Sequence, residues 1–348
     1  MTAAVPFSLA PLAPEAVLAA DLPLAEAVAH AVRRPEPVLA LRAERGFSAV
    51  LEDDLRVAWQ DGVPATTPIA ALARRGLLAA TEAEARRSLD LEPSWPGVLV
   101  AGAEAPAPRV LLRGVAPIRT AIVMAGGRGQ RLRPLTERTP KPMLAVGGRP
   151  MLARILELLA RHGVQKVFVS VHYLGERIRE YLGDGSGFGV DVEYLCEDRP
   201  LDTGAGLALV PRLDVPFLVV NGDVLTNANL AALARSHVLR GALATVATYL
   251  YPAALPYGVV HRDGERIVEI EEKPVLRYPV NAGIYAFAPQ VLDLVPRGEP
   301  LPMVPFLNEQ IRAGRRVCRF PLVEYWNDVG SPADFERAQG DVTSLEGV

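Results

Sequence analysis

From about residue 118 onwards, short apolar runs alternate along the chain with amphipathic segments. The apolar runs predict four β-strands, at 120–125, 166–171, 191–195 and 217–221. Between the first two, apolar residues from Leu152 to Leu159 recur at i, i+3, i+4 and i+7, which is the spacing of one helix face. Strands that alternate with helices form βαβ units and build a mainly parallel sheet with helices on both faces. The pattern therefore predicts an α/β fold.

The same pattern continues towards the end of the chain. Further helices are predicted at 174–182, 227–240, 302–313 and after Ser331, and a further strand at 316–321. Between 242 and 287 several strands follow one another without a helix, which indicates mixed pairing in that part of the sheet. We expect one domain over residues 118–348 with a mixed, mostly parallel sheet.

Residues 1–117 differ in composition, because they contain no lysine and no asparagine and are rich in alanine, proline and arginine. A helix at 22–32 and a strand at 37–43 are followed by a weaker helix–strand pair at 81–89 and 97–103. A chain of 348 residues exceeds the ~100–200 residues usual for one domain. We therefore expect a smaller N-terminal α+β domain over 1–117, joined to the second domain by a Pro/Ala-rich turn and linker.

Composition and charge argue against several classes of protein. A net charge of −3 does not favour a nucleic-acid partner. No run approaches the ~18–20 apolar residues of a membrane span, and the first residues lack the basic segment of a secretion signal. Cys196 and Cys318 do not make a disulfide framework, which favours a reducing, cytoplasmic location. Of 37 basic residues, only Lys141, Lys166 and Lys273 are lysines, a bias that codon usage explains on average but not at these three positions.

A glycine-rich loop follows the first predicted strand of the second domain. Gly126, Gly127 and Gly129 come directly after apolar residues, and glycines there let backbone N–H groups approach a phosphate closely. The loop is not a Walker A motif, because no Lys-Ser/Thr pair follows the glycines. It is not a dinucleotide fingerprint either, because Leu132 stands where the third glycine belongs. The segment therefore predicts another kind of phosphate-binding loop, with an ordinary tight turn as the alternative.

Two cations follow this loop, Arg131 and Lys141, and Lys141 lies between Pro140 and Pro142, which restrict its backbone on both sides. Residues 121–151 resemble the signature of the sugar-1-phosphate nucleotidyltransferases: G-G-x-G-T-R-L-x-P-L-T followed by P-K-P-M-L-P-V. The resemblance covers about residues 118–340, and mannose-1-phosphate guanylyltransferases are the members it suggests. The chain departs from the signature at Gln130, where threonine is usual, and at Ala145, where proline is usual.

The resemblance implies a Rossmann-like, GT-A-like nucleotidyltransferase fold and transfer of a nucleotidyl group from an NTP to a sugar-1-phosphate, with release of pyrophosphate. It also implies that Ala125 and the three loop glycines bind the nucleotide, and that Arg131 and Lys141 contact the triphosphate.

Two acidic residues are candidates for a Mg²⁺ site. Asp223 follows an apolar strand in Asn221-Gly222-Asp223, at the strand end where open α/β sheets bind ligands. Asp328 lies in the segment EYWNDVGSP. Magnesium takes one or two carboxylates together with phosphate oxygens. The resemblance implies that both aspartates hold Mg²⁺ and that Asn221 and Asp223 lie at the nucleotide; the alternatives are that Asp223 starts a turn and Asp328 caps the next helix.

The remaining site residues come from the resemblance alone. Gly258 would let the backbone meet the sugar, Glu272 would accept hydrogen bonds from its hydroxyls, Lys273 would hold its phosphate, and Asn281 would complete the pocket. The alternatives are an exposed strand end for Glu272 and Lys273 and an ordinary turn at Asn281.

The segment EDRPLDTGAGL is similar to the family's base-recognition loop, which is usually P-L-G-T-A-G-A, and it contributes Glu197, Asp202, Thr203 and Gly204. Asp202 replaces a glycine there. Its carboxylate can accept hydrogen bonds from the N1–H and N2 amino groups of guanine, or it can cap a helix that starts at Thr203.

Guanylyl transfer to a hexose-1-phosphate is the first hypothesis, and uridylyl or thymidylyl transfer remains open. A metal-dependent glycosyltransferase is a rival, although such enzymes favour D-x-D where this chain has Asn221-x-Asp223. A catalytically inactive sugar-nucleotide sensor is another. Residues 1–117 faintly resemble the degenerate pair of cystathionine-β-synthase-type (CBS) modules that precedes some guanylyltransferases. A structural or dimerisation domain, and hence a homo-oligomer, is the alternative for that region.

Overall fold

A computed structural model describes residues 7–33, 36–43, 46–74, 76–101 and 108–341. The Pro/Ala-rich turn predicted between the two domains falls at 102–107, outside the described residues. Among the described residues, no helix is long and apolar enough to cross a membrane.

The described part of the chain forms strands and helices in the following order. The N-terminal region contains β1 (Phe7–Pro11), β2 (Val17–Ala19), α1 (Leu24–Arg33), β3 (Val38–Ala43), β4 (Gly46–Leu51), α2 (Glu52–Gln60), β5 (Leu78–Ala79), α3 (Glu82–Leu91), β6 (Gly97–Val100) and β7 (Arg109–Arg113). The following half contains β8 (Thr120–Met124), β9 (Ala145–Val146), β10 (Arg149–Pro150), α4 (Met151–Arg161), β11 (Lys166–Val171), α5 (Gly175–Leu182), β12 (Asp191–Cys196), α6 (Ala205–Leu209), β13 (Phe217–Asn221), β14 (Val224–Thr226) and α7 (Leu230–Arg240). The last part contains β15 (Ala244–Ala254), β16 (Val259–Asp263), β17 (Arg266–Glu271), β18 (Val275–Phe287), α8 (Met303–Arg312), β19 (Val317–Leu322), β20 (Trp326–Asp328) and α9 (Pro332–Gly340).

The central sheet has seven strands in the order β12-β11-β8-β13-β18-β15-β19. Strands β12, β11, β8 and β13 run parallel, β18 is antiparallel to both of its neighbours, and β15 and β19 are parallel to each other. The predicted α/β class and the mixed, mostly parallel sheet are therefore confirmed. The predicted succession of strands after residue 242 corresponds to β15–β18.

Helices cover both faces of this sheet and bury one apolar side each. In α4, Leu152, Ile155, Leu156 and Leu159 are all buried, as their spacing predicts. Burying a leucine or isoleucine side chain contributes roughly 1.5–3 kcal/mol, so this face fixes the helix on the sheet. Helix α7 begins at Leu230 and not at the predicted residue 227, because the Asn229 side chain accepts the N–H of Ala232 and caps the helix there.

The N-terminal region contains two small sheets, β1-β7-β6-β5 and β2-β3-β4, with helices α1, α2 and α3. Its apolar side chains form their own core, which includes Leu24, Leu41, Leu55 and Leu89. The predicted helices and strands of this region are present. The CBS-like interpretation and the boundary at residue 117 stay predictions.

Candidate active site

The glycine-rich loop and Asp223 lie side by side at the carboxyl ends of two central strands. Strands β8 and β13 are parallel neighbours, and their register places Asn221 opposite Met124. The Gly222 N–H donates to the Met124 carbonyl at 2.8 Å, which ties the two strand ends together. A Cβ on Gly222 would lie 2.7 Å from that carbonyl oxygen, so this contact requires glycine. The strand-end position predicted for Asp223 is therefore present.

Two of the loop glycines lie in close contacts within the protein. A Cβ on Gly126 would lie 2.3 Å from Oε1 of Glu197. Gly129 has a positive φ of +59°, and a Cβ there would lie 3.0 Å from Cβ of Lys141. Gly127 differs, because a Cβ on it would meet nothing within 4 Å. The open space beside Gly127 is available to a bound group.

Lys141 lies between the two candidate metal carboxylates. It begins a short 3₁₀ turn after Pro140 and is 9% exposed. Its Nζ lies 2.5 Å from Asp223 Oδ2 and 4.0 Å from Asp328 Oδ1. The pairing of β14 with β20, in which Val224 lies opposite Asp328, brings the second carboxylate to the first. Three residues that are far apart in sequence thus meet in one charged cluster.

This cluster suits a divalent cation. Burial and the negative charge of Asp223 raise the pKa of Asp328, while Lys141 and Arg131 act in the opposite direction. A positive charge near both carboxylates relieves the repulsion between them. The ammonium of Lys141 is one such charge, and a bound divalent cation would be a second. No group of three or more His, Cys, Asp or Glu suited to a metal occurs among the described residues. Two carboxylates with phosphate oxygens completing the shell are a ligand set that Mg²⁺ takes.

Both alternatives to metal binding can be tested by position. Asp223 does lie in a turn between β13 and β14. Asp328 does not cap the following helix, because Ser331 accepts the N–H of Asp334 and caps α9.

Arg131, which is predicted to contact the triphosphate, is exposed. Its guanidinium lies about 3.3 Å from the point where a Cβ on Gly330 would be.

A cavity of about 270 Å³ opens beside the glycine loop. Seven predicted site residues line it: Gly126, Gly127, Glu197, Asp202, Thr203, Asn221 and Asp223. Ala125, Gly129 and Gly204 do not line it. Their backbone groups bond within the protein; the Gly204 N–H, for example, donates to the Leu301 carbonyl at 2.7 Å. Arg128 and His172 also line the cavity and were not predicted. His172 directly follows β11, so the strand-end rule that selected Asp223 also applies to it.

The segment predicted to recognise the base has a strained and well-bonded backbone. Asp202 adopts a positive φ of 67°, and its Oδ1 accepts the N–H of Thr203 at 2.7 Å. The alternative that Asp202 caps a helix from Thr203 is wrong, because α6 starts at Ala205 and no side chain caps it. Glu197 accepts hydrogen bonds from the Ser170 hydroxyl at 2.8 Å and the Leu201 N–H at 3.1 Å. The Glu197 carboxylate therefore holds the loop beside the cavity.

The residues predicted for the sugar phosphate lie on and near an exposed hairpin, β16–β17. Glu272 and Lys273 side chains are 73% and 68% exposed and stand 4.0 Å apart. A Cβ on Gly258 would lie 3.2 Å from Glu272 Oε2, so this glycine lies against the same carboxylate. Their exposure agrees with the alternative of a strand end. Gly258, Glu272, Lys273 and Asn281 are absent from the residues that line the glycine-loop cavity.

Asn281 lies closer to the charged cluster. Its Nδ2 donates to the Tyr285 hydroxyl at 2.9 Å, and Asp223 is close enough to help burial raise the pKa of that tyrosine. Asn281 lies within β18, so the alternative of an ordinary turn at this position is wrong.

A larger cavity of about 520 Å³ borders Asp328 on another side. It is lined by aromatic and charged residues that include Tyr249, Trp326 and Arg337. The Trp326 indole N–H donates to the Ala282 carbonyl at 2.8 Å, and its ring lies 4.9 Å from that of Tyr249. Asp223 and Asp328 thus stand between two cavities.

The family model of the nucleotidyl transferases matches residues 120–344. The chain belongs to the nucleotidyl transferase family. A UTP–glucose-1-phosphate uridylyltransferase of Synechocystis sp. is 33% identical over 247 residues, 65% of this chain and 64% of the relative. A mannose-1-phosphate guanylyltransferase of Mycobacterium tuberculosis is 35% identical over 232 residues, 64% of this chain and 64% of the relative. The chain therefore spans less than two thirds of the length of these curated relatives.

A solved structure of similar fold is HddC from Yersinia pseudotuberculosis, with a TM-score of 0.50 and 22% identity over 65% of this chain and 100% of that one. This likeness supports the predicted nucleotidyltransferase fold. The departures of this nucleotidyl transferase from its family signature, Gln130 and Ala145, are both exposed, so neither changes the packing beneath the loop.

Proposed function

We propose that this chain transfers a nucleotidyl group from an NTP to a hexose-1-phosphate and releases pyrophosphate. The observation that carries the proposal is the placement of Lys141 against Asp223 and Asp328 beside a glycine loop with open space next to it. The family and the names of its relatives support the same reaction.

In this reaction an oxygen of the sugar phosphate attacks the α-phosphorus of the NTP in line with the leaving group. A bond forms from that oxygen to the α-phosphorus, the bond to the bridging oxygen breaks, and pyrophosphate leaves. The attacking oxygen is already an anion, so no general base is required. The barrier arises from bringing anions together, and catalysis rests on positioning and electrostatics.

Each residue of the cluster has a defined part in that reaction. The backbone N–H groups of the glycine loop donate to phosphate oxygens, and Lys141 and Arg131 offset the negative charge that gathers there. Asp223 and Asp328 would hold Mg²⁺, which when bound supplies positive charge to the phosphates. Asn221 and Thr203, which line the glycine-loop cavity, would contact the nucleotide.

Guanine is the base we favour. Asp202 lines the cavity, and its Oδ1 is bonded to the Thr203 N–H. Its other oxygen can accept from the N1–H and N2 groups of guanine. Relatives named mannose-1-phosphate guanylyltransferase and guanyltransferase, the latter from Yarrowia lipolytica at 36% identity, support this choice. A uridylyl or thymidylyl transferase is the second candidate, which the uridylyltransferase relative favours.

For the acceptor we propose the hairpin residues named above, with Lys273 at the sugar phosphate, Glu272 at the hydroxyls, and Gly258 and Asn281 beside the sugar. Lys273 has a positive φ of 47°, a backbone conformation that is uncommon for a lysine and that is found more often at functional sites. Lys273→Ala should raise KM for the sugar-1-phosphate more than it lowers kcat.

The deciding experiment measures pyrophosphate release with the four NTPs and dTTP and a panel of hexose-1-phosphates, with and without Mg²⁺. We expect release that requires both substrates and Mg²⁺ and is fastest with GTP. A metal-dependent glycosyltransferase would use a nucleotide sugar and release no pyrophosphate. An inactive sensor would bind a nucleotide sugar without turnover. Fastest release with UTP or dTTP would overturn the choice of base and leave the reaction class standing.

A further inference from the structure

Helix α2 of the N-terminal region buries charged and polar residues against the following domain. Glu52, Arg56 and Gln60 recur at i, i+4 and i+8 on one side of the helix and are 1%, 0% and 6% exposed. A polar stripe at this spacing usually faces solvent. Here it faces β15 and β19: Gln60 Nε2 donates to the Thr248 carbonyl at 3.0 Å, and the Arg56 guanidinium lies over the Phe320 ring at 5.0 Å.

Arg56 is the centre of this interface. Its guanidinium donates to Glu52 Oε1 at 3.0 and 2.7 Å, to Glu324 at 2.8 and 2.6 Å, and to the Pro321 carbonyl at 3.4 Å. The contact with Glu324 is a two-point pair, which fixes orientation as well as distance. Although burial raises the pKa of Glu324, Arg56 keeps that pKa below its usual value, so the pair is ionised. The two residues are 268 positions apart in sequence.

Glu324 is the second residue of the segment 323–328, which carries Asp328, one of the two proposed metal carboxylates. The segment 323–328 runs from Val323, whose side chain packs against the N-terminal core, to Asp328. Glu324 Oε1 also accepts the Asn229 N–H at 3.3 Å. Next, the Thr226 hydroxyl donates to the Tyr325 carbonyl at 2.6 Å, and β20 then pairs with β14, which directly follows Asp223. The ion network therefore lies at the start of the strand pair that brings both aspartates together.

An ion network of this kind is not needed to hold two domains together. Replacing a buried ion pair by apolar residues is often neutral or stabilising, whereas removing one partner is strongly destabilising. The interface also has other contacts, such as Ser236 with Asp53 at 2.9 Å and Arg319 with Asp61 at 2.7 Å. What the two-point pair adds is a fixed position for Glu324.

We infer that Arg56 is a positioning residue for the active site: through Glu324 it fixes the segment 323–328 and hence the place of Asp328 beside Asp223 and Lys141. This inference rests on the proposed function, because it takes Asp328 as a metal carboxylate. It gives the N-terminal region a part in the reaction although none of its described residues lines the glycine-loop cavity.

Three variants of the full chain test the inference. Arg56→Met removes the guanidinium and leaves the buried Glu324 carboxylate without its cation, whereas Glu52 keeps its pair with Arg235 at 3.2 Å. The triple variant Glu52→Gln, Arg56→Met and Glu324→Gln removes the three charges that are almost fully buried. It leaves Arg235 without Glu52, but the Arg235 side chain is 24% exposed and stays in contact with water, so we expect this protein to fold even where the single variant does not. Asp61→Asn is the matched control, because it breaks an exposed ion pair between the same two regions without touching the segment 323–328.

Three quantities are measured for each folded variant: hydrogen–deuterium exchange of the segment 323–328, the affinity for Mn²⁺ by titration calorimetry, and the Mg²⁺ concentration at half-maximal rate. For the variants at Arg56 we expect faster exchange in this segment and metal binding weaker by up to about tenfold. Tenfold is the lower end of the loss when a group bonded directly to a ligand is removed, and Arg56 acts on Asp328 only through the segment. The control should match the wild type. Wild-type exchange and metal affinity in the folded triple variant would overturn the inference.

The two proposals fail in distinguishable ways. A wild-type protein that binds no Mn²⁺ and needs no Mg²⁺ contradicts the metal site of the proposed function. The exchange of the segment 323–328 then still decides whether Arg56 positions it. Faster exchange spread evenly over all of α2, β19 and β20 in the triple variant and in the control alike would indicate a structural role alone and would overturn the inference.

Discussion

Lys141→Arg keeps the positive charge at the centre of the site and changes only its shape. Lys141 is almost fully enclosed, and its ammonium lies 2.5 Å from Asp223 and 4.0 Å from Asp328. A guanidinium is planar and much wider than an ammonium, so it cannot take that place without moving one of the carboxylates. A displacement of about 1 Å at a reacting centre costs up to about 10²-fold in rate. We therefore expect kcat to fall by about 10- to 100-fold in Lys141→Arg.

The charge itself is tested by Lys141→Ala. Two unit charges about 4 Å apart attract by about 4 kcal/mol at an effective dielectric near 20. Loss of one preorganised charge-stabilising group costs about 10²–10³-fold in kcat, or about 2.7–4 kcal/mol, so one contact of this kind is sufficient to account for it. The expected order of kcat is wild type, then Lys141→Arg, then Lys141→Ala.

The assay is steady-state release of pyrophosphate at saturating Mg²⁺ with both substrates, accompanied by a thermal melt of each variant. Lys166→Arg is the matched control: Lys166 is 41% exposed and pairs with Glu193 at 2.7 Å, on a strand start away from the charged cluster. It should keep wild-type kcat. A Lys141→Arg variant with kcat within about twofold of wild type would refute the reasoning from shape.

The remaining predictions concern the metal, the loop and stability. Asp223→Asn should abolish the Mg²⁺-dependent activity, and a Mg²⁺ titration that matches the wild type would exclude Asp223 as a ligand. Gly127→Ala should leave the melting temperature unchanged, because a Cβ there meets nothing within 4 Å of the protein. It should raise KM for the NTP, because the Cβ enters the open space that we assign to the phosphates. Gly126→Ala should lower both stability and NTP affinity, because its Cβ would lie against the Glu197 carboxylate. Burial lowers the pKa of His237 from 6.5 to about 4. Below pH 6.5 the unfolded chain therefore takes up a proton at this histidine that the folded protein excludes. The stability present above pH 6.5 is lost as the pH falls towards 4. Denaturant unfolding measures the free energy of unfolding of wild type and His237→Gln at each pH. Between about pH 7 and pH 5 the wild type should lose about 2 kcal/mol more of this free energy than the variant does. An equal dependence of the free energy of unfolding on pH in the two proteins would contradict this.

Most of the fold from residue 118 onwards is predictable from local pattern. The strands at 166–171 and 217–221 and the buried face of α4 follow from apolar runs and helical spacing, because each of these segments packs on its neighbours along the chain. The start of α7 is not predictable in this way. Its position depends on which of several polar residues caps the helix, and Asn229 does so two residues after the predicted start.

The site is predictable to the extent that motifs lie at strand ends. Asp223 and the glycine loop meet because β8 and β13 are neighbours, and His172 could have been found by the same rule. The burial of Arg56 is not predictable from the sequence. The polar stripe of α2 has the pattern of a solvent-exposed helix face, and the partner that buries it, Glu324, lies 268 positions away in sequence. Interfaces between distant segments leave no periodic signal in either segment alone.

The three lysines of the chain separate into two groups once their surroundings are known. Lys166 pairs with Glu193 at the surface, and the Lys273 side chain is 68% exposed, so either position has room for a guanidinium. Lys141 alone among the three is enclosed, between two carboxylates and beside Gly129. The space at position 141 suits a small cation, and we interpret the lysine there, in a chain whose basic residues are mostly arginine, as a consequence of that limited space. Lack of space for a guanidinium does not explain the lysine at 273, so Lys273→Arg should keep a KM for the sugar-1-phosphate close to that of the wild type. A KM raised as much as in Lys273→Ala would show that the hairpin encloses this lysine when the acceptor is bound.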